Sequence, residues 1–254
     1  MNGAFQIGAT GLNAQQRALE VVANNITNMN TPGFKRSDVR FSELVAPAPA
    51  AGEPGSTLAD GGMLGVSGNP SQRLFLPGEL RATGNPLDVA IGGAGFIELL
   101  GRDGETMLWR GGTLSVNEEG YLAGANGLTL KATISVPEGA SALAIDPSGE
   151  VTATVAGETE PVSIGRIDLV TVRDPGALAD IDGGLYRAAS DDDVVAVTPG
   201  EEGGRFVQGS LELSNVELSQ EMVTLMMMQR AYAASAQVVQ AGDQLMSIVN
   251  GLKR

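Results

Sequence analysis

The sequence predicts an α+β protein: long N- and C-terminal helices pairing as a coiled coil, with an all-β middle domain. Three observations carry that expectation. All twelve prolines lie between Pro32 and Pro199, and thirty of the 35 glycines lie between Gly33 and Gly209. The two flanks are therefore almost free of helix breakers, and both carry apolar residues at heptad spacing. The middle breaks into short apolar runs divided by turn residues.

In the N-terminal flank Phe5, Leu12, Leu19 and Ile26 recur every seven residues, with Val22 and Met29 between them. A heptad stripe lets one helix lie along another. Gly8 and Gln15 are its weak positions. The helix is expected to stop near Thr31-Pro32-Gly33, because Pro32 disfavours helical geometry at Thr31 and Gly33 tolerates positive φ.

The C-terminal flank repeats more strongly. Met227, Ala231, Ala234, Val238, Ala241, Leu245, Ile248 and Leu252 alternate four and three residues apart. A second stripe, Leu218, Met222, Leu225, Tyr232, Ala236 and Val239, widens the apolar face. Ser214-Asn215-Val216-Glu217 has the form of a capping box, and Lys253 and Arg254 suit the negative helix end. A helix over 216–252 is about 55 Å long at 1.5 Å per residue. The N-terminal helix can cover one stripe, leaving the other for further subunits. A self-contained helical hairpin is the alternative.

Between the flanks the chain divides into an assembly helix and following segment (1–45), a Pro/Gly/Ala-rich linker (46–80), a β-rich domain (81–208) and the second helix (209–254). Strands are expected at 87–91, 96–100, 107–109, 128–136, 142–145, 151–155, 164–172 and 194–197. Asp103-Gly104 and Ser148-Gly149 are hairpin-turn candidates.

Composition narrows the chemistry. There is no Cys and no His. That removes thiolate nucleophiles, Cys-ligated metals, the commonest general base and the commonest transition-metal ligand. Net charge is −14, and 14 acidic against 3 basic residues fall between Glu138 and Glu202. Such a surface repels nucleic acid. The start has no basic segment leading into an apolar core, so no cleaved signal peptide is expected. No apolar run is long enough for membrane insertion.

Local motifs give no catalytic residue, cofactor or metal. Gly92-Gly93-Ala94-Gly95 resembles part of a phosphate loop, but Glu98 stands where a third Gly belongs, and a turn between strands is the better expectation. Asp191-Asp192-Asp193 lacks the alternate-residue spacing of a calcium loop. Met226-Met227-Met228 suits adaptable helix packing. Lys35 and Lys131 have no motif marking them as a base. A peptidoglycan hydrolase of carboxylate-only chemistry remains the rival class, and it needs two carboxylates facing across a cleft.

The end motifs carry a resemblance. Thr10-Gly11-Leu12-Asn13-Ala14-Gln15-Gln16, Val22-Ala23-Asn24-Asn25-Ile26-Thr27-Asn28 and Asn30-Thr31-Pro32-Gly33-Phe34-Lys35-Arg36 resemble the amino-terminal motifs of bacterial flagellar rod and hook proteins. Gly209-Ser210-Leu211-Glu212-Leu213-Ser214-Asn215-Val216 and Gln229-Arg230-Ala231-Tyr232 resemble the carboxy-terminal ones. Thr83–Ile91 and Gly93-Ala94-Gly95-Phe96 look like the family's β core, although Leu108-Trp109-Arg110 replaces the usual Tyr-Thr-Arg. The resemblance implies a structural subunit of the distal rod type, with the proximal rod type as alternative. It also implies a helical homopolymer that transmits torque and contacts neighbouring rod and hook proteins and the surrounding rings. Such a subunit leaves through the flagellar export apparatus, without signal cleavage, to the basal body in the periplasm.

Overall fold

The computed structural model describes residues 2–45, 63–68, 72–101, 104–155, 160–181, 184–200 and 203–252. Most of the expected linker, and Asp103 of the expected turn, lie outside them. The chain forms two compact units. One comprises Met1–Thr27, Ser37–Gln72 and Val216–Arg254; the other comprises Asn28–Arg36 and Arg73–Asn215.

The first unit holds both long helices, α1 (Asn2–Thr27) and α2 (Leu218–Leu252). α1 stops earlier than the proline implies. Asn28–Asn30 already form a turn, with the Thr31 amide donating to the Asn28 carbonyl at 3.1 Å. α2 opens at Leu218, where the Glu221 amide donates to the Glu217 carbonyl at 3.0 Å. This makes Glu217, not Ser214, the residue at the helix entrance. Inside the expected linker, Met63–Gly68 pairs antiparallel with Phe41–Val45.

α1 and α2 run antiparallel, as contacts along their length require. A Cβ at Gly8 would come within 2.6 Å of Val239. Gln15 Nε2 donates to Ser235 Oγ at 3.1 Å, and Asn25 Nδ2 to Glu221 Oε2 at 3.4 Å. The buried residues of α1 are Gly8, Ala14, Ala18, Val22 and Asn25. Small residues at most of these positions let two backbones approach closely.

The second unit is β-rich. Its largest sheet has six strands in the order Ala179–Asp180, Leu185–Arg187, Thr106–Trp109, Phe96–Leu100, Leu169–Val172, Val194–Val197. Alternation along Phe96–Leu100 sends side chains to opposite faces. Ile97 and Leu99 join a core with Trp109, Leu122, Val151, Leu169 and Phe206, while Phe96 joins Leu108, Val170 and Tyr186. Phe75, Phe96 and Tyr186 meet edge to face, with centroids 5.0–6.1 Å apart.

Beside the six-stranded sheet lie two strand pairs, Leu80–Ala82 with Ser210–Glu212 and Ser115–Val116 with Leu122–Ala123, and two three-stranded sheets. One joins Ala140–Ile145, Glu150–Val155 and Val162–Arg166; the other joins Arg205–Gln208, Asp88–Gly92 and Gly111–Thr113. Most expected strands are present. The exception is 128–136, which forms only isolated bridges at Thr129, Leu130 and Ser135. Thr133, at φ 44°, breaks the extended chain there. The expected strand over 164–172 is two strands, Val162–Arg166 and Leu169–Val172. Gly149 turns the predicted hairpin at φ 88°, where a Cβ would lie 2.3 Å from the Ile167 carbonyl oxygen.

Candidate functional site

Two features stand out: an open apolar surface on α2, and a buried polar clamp in the β unit. On α2, Leu218, Met222, Val223, Met226, Met227, Tyr232, Val238 and Ile248 are all exposed. Met227, Val238 and Ile248 keep 56%, 60% and 59% of their surface. Ala234 and Ala241 are also exposed, and Ala231 is half-buried. The side chains of Phe5, Leu245 and Leu252 lie outside the described residues.

On α1, Val22 is buried and Leu12, Leu19 and Ile26 are half-buried. α1 lies against a line on α2 through Glu221, Ser235 and Val239. Val239 belongs to the second stripe, but Leu218, Met222 and Tyr232 of that stripe and Met227, Val238 and Ile248 of the first remain open. Within this unit Asn25 also bridges locally. Its Nδ2 donates to the Ser37 carbonyl at 2.9 Å, and its Oδ1 accepts the Ser37 amide at 3.0 Å.

The clamp begins with three charges out of solvent: Lys35, Glu212 and Arg110, at 0%, 3% and 4% exposure. Lys35 Nζ donates to Glu212 Oε1 at 2.6 Å and to the Leu76 carbonyl at 2.9 Å. Arg110 Nη2 and Nε donate to Glu212 Oε2 at 3.0 and 3.2 Å. The Gly78 amide also donates to Glu212 Oε1, at 2.7 Å. Burial pushes the Lys35 ammonium below its ordinary value; Arg110 adds to that shift and Glu212 opposes it. Ion pairs this deep persist only when nearly every donor and acceptor is used.

The glycine run proves to be part of this clamp. Gly93 and Gly95 adopt φ 122° and 133° and offer carbonyls to Arg110, Gly93 at 2.9 Å from Nη2. The loop thus turns carbonyl oxygens toward a cation, the reverse of a phosphate loop, which presents amides to an anion.

The two end motifs meet at Asn215. Its Oδ1 accepts the Arg36 amide at 2.7 Å, and its Nδ2 donates to the Leu74 and Leu76 carbonyls at 2.9 and 3.1 Å. The Gly33 amide donates to the Glu212 carbonyl at 2.7 Å, and Phe34 packs under the Arg73 guanidinium, 5.1 Å from the ring centroid. Of the motif residues, Gly33, Phe34, Lys35 and Asn215 are brought together here. Ser214 and Val216 are half-buried. Asn24, Thr31, Pro32, Gln229, Arg230 and Tyr232 are exposed.

Sequence reasoning passed over Glu212 and Arg110. Each is a lone charge in an apolar run, Leu211-Glu212-Leu213 and Leu108-Trp109-Arg110, and that was the available signal.

Little supports a reaction centre. Two shallow clefts of about 140 and 270 Å³ flank Lys131. Glu98 and Asp168 line one and Glu98 and Asp191 the other, but Lys131 already holds Glu98 at 2.9 Å. Asp191–Asp193 form an exposed turn, and no metal-ligating group of three occurs among the described residues. Among those residues, no helix is long and apolar enough to cross a membrane. Paired terminal helices with an open apolar surface, joined to a tightly clamped β unit, define a structural assembly subunit.

Comparison with known proteins gives the family. Residues 5–35 match the model of flagella basal body rod proteins. Residues 90–153 match the D1 domain of the flagellar hook proteins FlgE/F/G, and 207–252 match the C-terminal region of the basal body rod FlgEFG proteins. The flagellar basal-body rod protein FlgG of Borreliella burgdorferi is 33% identical, with 100% of each chain covered. FlgG of Caulobacter vibrioides is 33% identical over 98% of this chain and 99% of its own. The rod protein FlgF of Caulobacter vibrioides is 31% identical over 94% and 93%. The chain belongs to the flagellar basal-body rod protein family. Its function is that of a structural rod subunit of the distal type, not an enzyme.

Proposed function

We propose that this subunit polymerises into a helical tube through the open surfaces of its terminal helices, and that the tube passes torque to the hook. In this reading the helices pair as a coiled coil lining the tube. Phe5, Leu12, Leu19, Val22, Ile26, Met227, Ala231, Ala234, Val238, Ala241, Leu245, Ile248 and Leu252 form the contacts among copies. The surrounding rings are partners of the subunit, and neighbouring rod and hook proteins continue the tube at either end. The subunit reaches the basal body through the export apparatus with no signal cleavage.

The supporting observation is the exposure of eight large apolar side chains on α2. Full burial of one such side chain contributes roughly 1.5–3 kcal/mol, so eight half-exposed ones contribute about 6–12. Association costs about 4–15 kcal/mol in lost freedom. One neighbour is therefore marginal, and a lattice of several neighbours is favourable. A head-to-tail contact that does not close grows into such a lattice.

Val238→Asp tests this. The purified variant is expected to keep the parent's circular dichroism, while cells carrying it show no distal rod by electron microscopy. Rods of parental length in those cells would refute the proposed interface.

A further inference from the structure

The chain crosses into or out of the β unit at four junctions, 27/28, 36/37, 72/73 and 215/216. The β-unit residues next to the last three lie in one cluster, and each of these three segments is bonded directly to both others. Asn215 Oδ1 holds the first through the Arg36 amide, at 2.7 Å, and its Nδ2 holds the second through Leu74 and Leu76, at 2.9 and 3.1 Å. The Leu74 amide donates to the Arg36 carbonyl at 2.9 Å, and Arg73 Nη1 to the Lys35 carbonyl at 3.3 Å. The Asn215 amide reaches the Phe34 carbonyl at 3.4 Å. Three residues back, Glu212 repeats the pattern with charge, taking Lys35 Nζ from the first segment and the Gly78 amide from the second.

Such a cluster cannot release one segment cheaply. Moving the 33–36 segment away takes one of its two cations from Glu212 and, at the same time, the partners of the Asn215 Oδ1 and backbone amide. Moving 212–215 leaves Lys35 and Arg110 as two buried cations with no anion between them. The Gly78 backbone is tight as well, since a Cβ there would lie 2.0 Å from the Leu213 carbonyl oxygen.

We infer that this clamp is a load-bearing joint: its three segments open only as one cooperative unit, so force arriving along any of them is shared by all. The role rests on the proposed reading of a torque-transmitting rod. Asn215 acts as a positioning residue, joining the segments through Arg36, Leu74 and Leu76.

Native-state amide exchange of the full chain in sub-denaturing guanidinium tests the joint without any substitution. The Gly33, Arg36, Leu74, Gly78 and Asn215 amides are expected to share one opening isotherm. Separate isotherms would overturn the inference. In Asn215→Ala, exchange should rise roughly 10- to 100-fold at all five, including Gly33 and Gly78, which do not bond the Asn215 side chain. Acceleration confined to Arg36 would overturn it equally.

In cells, Asn215→Ala is expected to build rods visible by electron microscopy but to lose swimming in viscous medium. Parental swimming under that load would overturn the load-bearing role. The micrographs report on assembly and the exchange pattern on the clamp, so failure of one reading is separable from failure of the other.

Discussion

The helices and the β unit handle apolar and charged residues in opposite ways. α2 leaves Met227, Val238 and Ile248 open to solvent. The β unit closes a core around Leu99, Leu122 and Val151, each 0% exposed, and takes Lys35, Glu212 and Arg110 inside with it. Exposed apolar surface is unfavourable until a neighbour covers it. Buried charge is unfavourable until a partner and hydrogen bonds satisfy it. The buried charges of the β unit find their partners within it, whereas eight large apolar side chains stay open along the one helix α2. The difference separates charge that is already satisfied from apolar surface that a neighbour can cover.

The most damaging test of this contrast is at the clamp. Glu212→Gln leaves two buried cations without their anion and should cost about 3–5 kcal/mol in thermal or denaturant unfolding. A loss below about 1 kcal/mol would mean that water or rearrangement satisfies the cations, and the β unit would not be self-sufficient.

Paired truncations sharpen the contrast. Leu108→Ala, at 0% exposure, should cost about 2–5 kcal/mol. Val238→Ala on α2 should change monomer stability by no more than about 0.5 kcal/mol. Equal costs would show that α2 is already covered in the monomer.

A smaller effect is expected at Tyr186. Its hydroxyl is buried with no hydrogen-bond partner of ordinary geometry among the described residues, while the Arg73 guanidinium lies 5.5 Å from its ring centroid. Tyr186→Phe removes an unsatisfied group and keeps the ring packing, so stability should hold or rise by up to about 1 kcal/mol. A clear loss would reveal a partner for that oxygen.

The smallest effect is one of pH. Burial holds the Lys35 pKa below its ordinary 10.5 in the folded chain. Between that lowered value and 10.5, the unfolded chain binds the extra proton, so the Lys35 contribution to stability rises with pH across that window. Guanidinium midpoints measured up to pH 10.5 should show this rise in the parent and lose it in Lys35→Met.

Much of the architecture was legible because it depends on local rules. Flanks without proline gave both helices, and alternating runs such as Phe96–Leu100 gave strands. The segment 128–136 was misread because its apolar residues alternate as a strand's do, while Thr133 leaves the extended region, which a residue pattern does not reveal. The helix contact was obscured for a related reason. Heptad counting follows large residues and found Val22, but Gly8, Ala14 and Ala18 are buried on α1 as well, and their small size is what admits the neighbouring backbone. The clamp was hidden by distance. Glu212 finds Lys35 across 177 residues and Arg110 across 102, and no local spacing encodes such pairs. The motifs nevertheless contained several of its members, Lys35 and Asn215 among them.

Because the chain has no Cys, a single Val238→Cys substitution provides one labelling site on the open surface of α2. Maleimide labelling of that thiol, compared between the purified monomer and isolated basal bodies, tests the central claim most directly. Rapid labelling of the monomer with at least about tenfold slower labelling in basal bodies is the predicted result, since burial in an interface blocks access. Equal rates in both would contradict it.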